Sequence, residues 1–566
     1  MKRYINIMMV SFLALFVFAA CIKDLDKFPA NDKTKKDVYA DAEGYKMALA
    51  KVYGCMTLSG NQGPAGSPDA SGLDEGGNGD FLRCFFNHQE MPTDEVHCIW
   101  SDPGVPELNN LSFVSTCAFT TGLYNKSLLQ ISYANDFLLN CTESELATHD
   151  LTSAEQTEIG YYAAEARFLR AFQYWILMDV FGNPPFFTEA DELGGLPRQI
   201  SRSDLFDYVE SELLDLVNNN LLKAPKANEY GRVDMAGAYA LLARLYLNAN
   251  VYKSPVGSPG DNTEYYTKAL TYANMVLNSG YSLKTSTAGS EIGVYESLFL
   301  NDNNKNNPEV IFSLNYDGLH SKSYGGITFL INCASNGDYQ KDSNYRDKLW
   351  HYGIFTNANW AGYRARGEFS DKFTADDKRY LFIGKNKSLG DYPLDYTYGM
   401  ATYKYRNISS TLTRAQRDTV LKHRENEVLD VFGNDPNGEF ADNDYPLFRL
   451  AEIYLIYAEA VKRGGSGGNE GTALGYLNEL RSRAGLSNIG SYDLNYILDE
   501  RARELYWECQ RRTDLVRYNR FTTNDYIWEW KGGVKSGQSV DAYFNIYPIP
   551  LTDLQANTNL KQNTGY

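Results

Sequence analysis

The stretch from Glu155 to Thr188, EQTEIGYYAAEARFLRAFQYWILMDVFGNPPFFT, constrains the chain more than any other. Phe168, Ala171, Phe172, Trp175 and Met178 recur at steps of three and four residues, which gathers them on one side of an α-helix. Glu165, Arg167, Arg170 and Gln173 are expected to keep part of its surface polar. Gly182 can take the left-handed conformation that closes a helix, and Pro184 and Pro185 cannot extend the hydrogen-bonded ladder. The wide apolar face needs partners on more than one side. Other helices are therefore expected to stack around it, with Phe172 and Trp175 in the core.

The chain starts with Lys2 and Arg3, an apolar run from Ile5 to Phe18, and Ala19 and Ala20 immediately before Cys21. This is the pattern of an export signal. A plain signal peptide needs no cysteine after the small residues, whereas a lipoprotein signal does, because the thiol takes a diacylglyceryl group before cleavage. The run is also short of the roughly twenty apolar residues that span a bilayer. Residues 1–20 therefore read as a lipoprotein signal peptide and Cys21 as the lipidated residue, tethering the chain to a membrane surface through acyl chains.

At 566 residues the chain exceeds the size at which a single core keeps growing, so two or more packed sublobes are expected. A net charge of -17, with no Lys/Arg cluster to override it locally, argues against nucleic acid as a ligand. Of the eight cysteines Cys21 goes to lipid, and the remaining odd number leaves at least one unpaired. His97 and Cys98 with Cys84 lack the second tight pair of ligands that marks a zinc site. No cofactor is expected. The 43 tyrosines are unusual; most belong to core or half-buried rim, but those in polar loops need another reason to be there.

Helical periods appear at 42–55, from about Leu123, at 204–222 with a cap at Ser203, at 231–249 and at 263–279. Ala236, Ala240 and Ala243 permit close helix crossing, and paired helices of this kind are how tetratricopeptide-type units pack. Residues 59–80, rich in Gly, Pro and Asp, run into FLRCFFNHQEMPTDEVHCIW, so 59–110 reads as a long irregular loop carrying large aromatics. Such loops are more often functional than structural. The division expected is a helical part at 21–280, a loop-rich lobe with short strands at 281–440, and a helical part at 441–566 that packs back on the first. Arg501, Glu504, Arg511, Arg512 and Asp514 are spaced for ion pairing on helices rather than for catalysis.

The blocks AEARFLRAFQYWILMDVFGNPPF, GRVDMAGAYALLARLYLNA, DYPLFRLAEIYLIYAEA, ERARELYWECQRRTDLVRYNRF and YPIPLTDLQANTNLKQNTGY, with FAAC at the start, resemble the SusD family of outer-membrane nutrient-binding lipoproteins. The resemblance implies a mainly α scaffold of tetratricopeptide-like pairs, a loop-built glycan face, and a SusC-like TonB-dependent transporter as partner. It also implies binding without catalysis. GSPDASGLDEG, NHQEMPTDE, SYGG and FTTNDYIWEWKGG are similar to the starch-binding members, in which an arc of aromatics cradles the curved face of a maltooligosaccharide. By local match the arc falls on Trp100, Tyr324 and Trp360, and an arginine contact on Arg83.

Sugar chemistry makes the same demand. A glucan has apolar CH faces that flat rings cover and hydroxyl edges that charged or amide groups bond. Arg83 offers a fork of donors to vicinal hydroxyls, and Asp102 can accept from them. Pro103 stands where the starch binders have an asparagine, leaving Asp102 as the nearest substitute. The segment Asn301 to Glu309, which matches the family's calcium loop, has Asp302 but also Lys305 and several asparagines, which weakens a hard-cation site. A different glycan or a peptide is the alternative ligand. A glycoside hydrolase would need a matched carboxylate pair, which Glu90, Asp94 and Glu95 do not declare. A pure interaction scaffold would explain the helices but not the aromatic middle lobe.

Overall fold

The organising helix runs over Ser153–Phe181 in the computed structural model, opened by a reciprocal box in which Thr152 caps Glu155 and Glu155 reaches back. It stops at Gly182, whose φ of +70° suits a residue without Cβ. Residues 35–60, 69, 79–192, 194–287, 292–335, 352–384, 386–390, 398–413, 415–416 and 432–566 are described. Cys21, the signal segment and most of the 59–80 loop lie outside the described residues.

In chain order the main elements are α1 (Ala42–Gly54), α2 (Phe81–Gln89), β1 (Val96–Cys98), α3 (Ala118–Asn140), α4 (Ser153–Phe181), α5 (Arg202–Asn218), α6 (Met235–Leu247) and α7 (Thr263–Leu277). They continue with β2 (Val310–Leu314), α8 (Gly326–Ala334), β3 (Tyr363–Ala365), β4 (Tyr445–Arg449), α9 (Leu450–Lys462), α10 (Glu470–Arg483), α11 (Leu494–Leu505) and α12 (Arg511–Arg517). Sequence neighbours pack on one another: α3 on α4, α4 on α5, α6 on α7, α9 on α10. The returning helix α9 also lies against α7, closing the second helical stretch onto the first. The fold is mainly helical, as expected, and between α7 and α9 the described elements are short.

Three expectations change. Of the four polar residues expected on the surface of α4, Glu165, Arg170 and Gln173 are buried and Arg167 is half-buried. Glu165 holds Arg232 and the Tyr53 hydroxyl, Arg170 holds Glu212 and Asn135, and Gln173 meets Gln130. A helix wrapped on all sides must satisfy its polar groups internally. Second, α5 begins two residues earlier than expected, capped by Ser201, which accepts from the Asp204 N–H at 3.1 Å; Ser203 instead accepts from Lys253 Nζ. Third, 59–110 is not one irregular loop. FLRCFFNHQ forms α2, capped by Asp80 and buried along its whole length, and β1 follows it. Phe172 and Trp175 are in the core, as expected.

Two antiparallel ribbons link distant segments. β2 pairs with β4, with Val310 opposite Arg449. That register brings Glu309 to Arg449, which is shared among Glu309, Glu504 and Glu508 at 2.6–3.0 Å. Arg483 also reaches Glu309 at 2.6 Å, and Arg379 holds Asp377, Glu500 and Glu504. The charged residues spaced along α11 and α12 are thus structural: Arg501 pairs with Asp514, Arg511 with Asp94, and Arg512 with Asp179. Burial by itself would raise Glu504, but Arg483, Arg449 and Arg379 bring it down to about 2. Asp94 is likewise brought down to about 2 against burial, mainly by Arg511. The second ribbon, β1 with β3, matters for the surface.

Candidate functional site

β1 and β3 pair with Val96 opposite Ala365 and Cys98 opposite Tyr363. The pairing runs one step further, with Ile99 N–H donating to the Gly362 carbonyl at 2.9 Å. Trp100 and Trp360 therefore emerge at the same end of one ribbon, although nearly half the chain separates them. Gly362 is required at that end, because a Cβ there would stand 2.8 Å from Trp100 Cε2 and Cζ2. The root of the ribbon is held by the buried charges: Asp94 is clamped by Arg511, and Arg366 donates to the Thr93 carbonyl at 2.8 Å.

The backbone that presents Trp360 is strained. Asn357, Asn359 and Ala361 all have positive φ, at 53°, 68° and 56°. Asparagine tolerates this region, whereas alanine is there at a cost of about 1 kcal/mol. Asn332, on α8, holds the turn: its carbonyl accepts from the Trp360 and Ala361 N–H groups at 3.0 and 3.2 Å, and its side chain accepts from Asn359 N–H at 3.2 Å.

α8 brings the third ring, because Tyr324 stands two residues before its first turn. Phe329 on the same helix is the common floor. It meets Trp100 edge-on at 5.9 Å between centroids and 81°, and Trp360 at 5.8 Å and 58°. Tyr324 lies 6.3 Å from Trp360 at 57° and rests on buried Phe440 at 5.1 Å. Trp100, Trp360 and Tyr324 are each half-buried. Tyr324 and Trp360 stand at 57° to one another, so these two rim rings do not form a flat platform.

A hydrogen-bond chain fixes the far end of the rim. The Tyr324 hydroxyl donates to Glu439 Oε1 at 2.6 Å, Asn357 Nδ2 donates to the same oxygen at 3.1 Å, and Trp360 Nε1 donates to the Asn357 carbonyl at 2.5 Å. Accepting that bond, the Glu439 carboxylate holds the Tyr324 phenol above its ordinary pKa, so it stays neutral.

Arg83 lies deeper than the three rings. It is 8% exposed, and its guanidinium is sandwiched at 5.1 Å from Phe119 and 4.0 Å from Phe329. On α2, a helix buried along its length, Arg83 stiffens the floor of the rim instead of projecting as an open fork. Asp102 is exposed beside Trp100, in the turn whose carbonyl at 102 accepts from Val105 N–H at 3.0 Å. Sequence reasoning missed Phe329, Glu439 and Asn357. Phe329 was within reach, in the apolar run GITFLIN directly after SYGG; Glu439 and Asn357 lie in aperiodic loops that carry no signal.

Other candidate chemistry is internal. Burial raises Glu90 and Glu95, and Glu90 accepts from the Gln510 N–H at 2.9 Å. Burial also pushes His97 well below its ordinary range. Asp302 accepts from Ser409 Oγ at 2.7 Å, and from Ser410 N–H and Oγ at 2.9 and 2.8 Å. Among the described residues, no group of three or more His, Cys, Asp or Glu side chains is placed to hold a metal ion, and no helix is long and apolar enough to cross a membrane. The seven described cysteines are free thiols.

A helical scaffold that presents an open rim of rings on short ribbons and loops is the make-up of a SusD-type protein. The chain belongs to the SusD family. Its residues 308–566 match the model for that family, and it is 33% identical to the starch-binding protein SusD of Bacteroides thetaiotaomicron over 97% of this chain and 96% of that protein. The SusD-like protein P25 of Formosa agariphila is 24% identical over 78% of this chain and 79% of its own. Among solved structures, surface glycan-binding protein A from Bacteroides uniformis shares the fold with a TM-score of 0.66 and 22% identity, covering 92% of this chain and 99% of that one. Surface glycan-binding protein A from B. thetaiotaomicron, solved in complex with laminarihexaose, aligns with a TM-score of 0.63 and 19% identity over 92% and 99%.

Proposed function

We propose that the chain is a cell-surface lipoprotein that captures starch or maltooligosaccharide on the rim of Trp100, Trp360 and Tyr324 and passes it to a SusC-like TonB-dependent transporter. The observation that carries the reading is the cluster of half-buried rings: Trp100 and Trp360 share Phe329 as floor, and Tyr324 stands at 57° to Trp360, so ring faces in more than one plane are available to the curled face of an α-glucan. The 33% identity to a starch-binding protein over nearly the whole chain supports the same ligand class. Asp102 and the Glu439–Asn357 pair supply acceptors and donors for the hydroxyl edges. The chain binds and does not cleave, since its strongly perturbed carboxylates Glu90 and Glu95 are buried below the rim. Cys21 carries the lipid.

Affinity electrophoresis in amylose tests this reading. Retardation of the wild type that is lost in Trp100→Ala and Tyr324→Ala is the expected result; unchanged retardation in both variants rejects the rim as the site. A β-glucan is the second reading, favoured by the laminarihexaose complex of a protein with the same fold. A parallel gel with laminarin separates the two. Release of reducing sugar from amylose by the purified chain would contradict binding without catalysis, and Cys21→Ala should free the chain from the membrane fraction.

A further inference from the structure

We propose a second sugar subsite on the ring of Tyr230, at the edge of a cleft of about 540 Å³, where further pyranose units of the same glycan chain are held. The proposal rests on the glycan-binding reading above. Tyr230 is 50% exposed, yet its hydroxyl is tied down, donating to Asp444 Oδ2 at 2.7 Å and accepting from Ser313 Oγ at 3.4 Å. A large ring fixed by its polar end and left open on its body serves neither the core nor solubility. The cleft beside it is lined by amides and hydroxyls, including Asn315, Ser321 and Asn434, and by the four carboxylates of Asp302, Asp317, Asp442 and Asp444. One ring for CH faces and many short polar groups for hydroxyl edges is the composition of the first rim repeated.

The two places are built from the same two stretches of backbone. One lines the cleft with Asn315, Asp317 and Ser321 and then presents Tyr324; the other lines it with Asn434 and then presents Glu439, which anchors Tyr324. Between them Lys322 lies 3.7 Å from Asp435 and 5.7 Å from the ring of Phe440, the floor beneath Tyr324. A glycan leaving the rim past Tyr324 thus meets a wall shared with the cleft. The occupant favoured is neutral and polyhydroxylated. The cleft carboxylates already accept bonds from the protein: Asp442 from Gly318 and Asn434 N–H at 2.5 Å each, and Asp444 from Tyr316 N–H at 3.0 Å. Lys305 lines the same cleft and offsets part of its negative charge, and no group of three or more His, Cys, Asp or Glu side chains among the described residues is placed to hold a metal ion.

Isothermal titration of the full chain with maltotriose and with long maltooligosaccharides tests the subsite, using Tyr230→Ala, Tyr230→Phe, Asn434→Ala and Trp100→Ala. Tyr230→Ala should weaken the long chains about tenfold and leave maltotriose unchanged, Tyr230→Phe should keep most of the affinity, and Asn434→Ala should cost the long chains a few-fold. Trp100→Ala should weaken both ligands. Long-chain affinity that survives Tyr230→Ala and Asn434→Ala but falls with Trp100→Ala overturns the subsite and leaves the first site standing. Loss of maltotriose binding in Tyr230→Ala, with an unchanged melting curve, overturns it too, because the ring would then belong to the first site. If the wild type binds no maltooligosaccharide, the series is run with laminarioligosaccharides, and the absence of a Tyr230-dependent length effect there overturns the subsite, whereas no binding of either glycan rejects the reading it rests on.

Discussion

Around Arg449, groups that water would hold best are shut away from it; above Phe329, rings that water holds worst are left half in it. Arg449, Glu309 and Glu504 are almost fully buried and satisfy one another, while Trp100, Trp360 and Tyr324 rest on floors and stay half-buried among the described residues. Each region departs from the usual distribution of side chains, and the two departures have different causes. Buried charges fix which segments meet, since a wrong neighbour would leave a charge unpaired in a medium that cannot solvate it. Exposed rings do nothing for the fold that a buried ring would not do better, so their position is explained by what they meet from outside.

The contrast can be broken by mutation, and the largest effect is expected inside. Arg449→Met should remove the cation shared by Glu309, Glu504 and Glu508, leaving them to Arg483, Arg379 and Lys404, and cost about 3 kcal/mol in denaturant unfolding, while glycan affinity per folded molecule stays the same. Acid should attack buried carboxylates of this kind: Glu504 beside Arg449, Asp94 beside Arg511, and Glu459, which is buried and paired with Arg517 at 2.7 Å. Asp94, Glu459 and Glu504 are held at about 2, below their unfolded values, so each contributes stability above about pH 4.5 that is lost as pH falls toward 2, about 2 kcal/mol or more per group. Asp444 acts in the opposite sense: burial raises it to about 7, so its protonated form favours folding at low pH and that contribution fades as pH rises from about 4 through 7. Unfolding followed from pH 2 to 8 should therefore show a steep acid limb and a shallow decline toward neutrality. On the rim, Trp100→Ala should cost about 1.5–2 kcal/mol of glycan affinity by titration with little change in melting temperature. The smallest effect belongs to Glu439: Glu439→Ala removes the acceptor that orients Tyr324 and should weaken binding a few-fold, about 0.5–1 kcal/mol, whereas Glu439→Gln keeps an acceptor and should be close to wild type.

Much of the scaffold was legible because helices announce themselves by period and cap. α4 ends at Gly182 as its sequence demands, and α6 and α7 lie within the stretches where the small and aromatic residues recur. What could not be read was which polar residues would be covered. Glu165 looks like a solvated face until Tyr53 and Arg232, both distant in sequence, close over it. α2 was mistaken for loop for a related reason: FLRCFFNHQ is only nine residues long, follows a breaker-rich stretch, and its polar residues Arg83, Asn87, His88 and Gln89 are covered by other segments. The three rim rings were found from breaker-rich loops and family likeness. Phe329, which joins two of them, and Glu439, which fixes the third, act only through contacts made after folding. Arg83 shows what residue type alone leaves open: its depth, between Phe119 and Phe329 and under the rim, is set by the burial of its helix.

The β1–β3 ribbon has a consequence for how the protein matures. Its strands are contributed by segments nearly half a chain apart, and no local hairpin can substitute for their register. Contacts of such long sequence separation form late, after the entropy of closing the intervening chain has been overcome. Competence to hold a ligand is therefore gained at the end of folding and cannot exist in an N-terminal fragment, however well its helices have packed. Binding by a preparation of this protein is then a measure of how many molecules completed their folding.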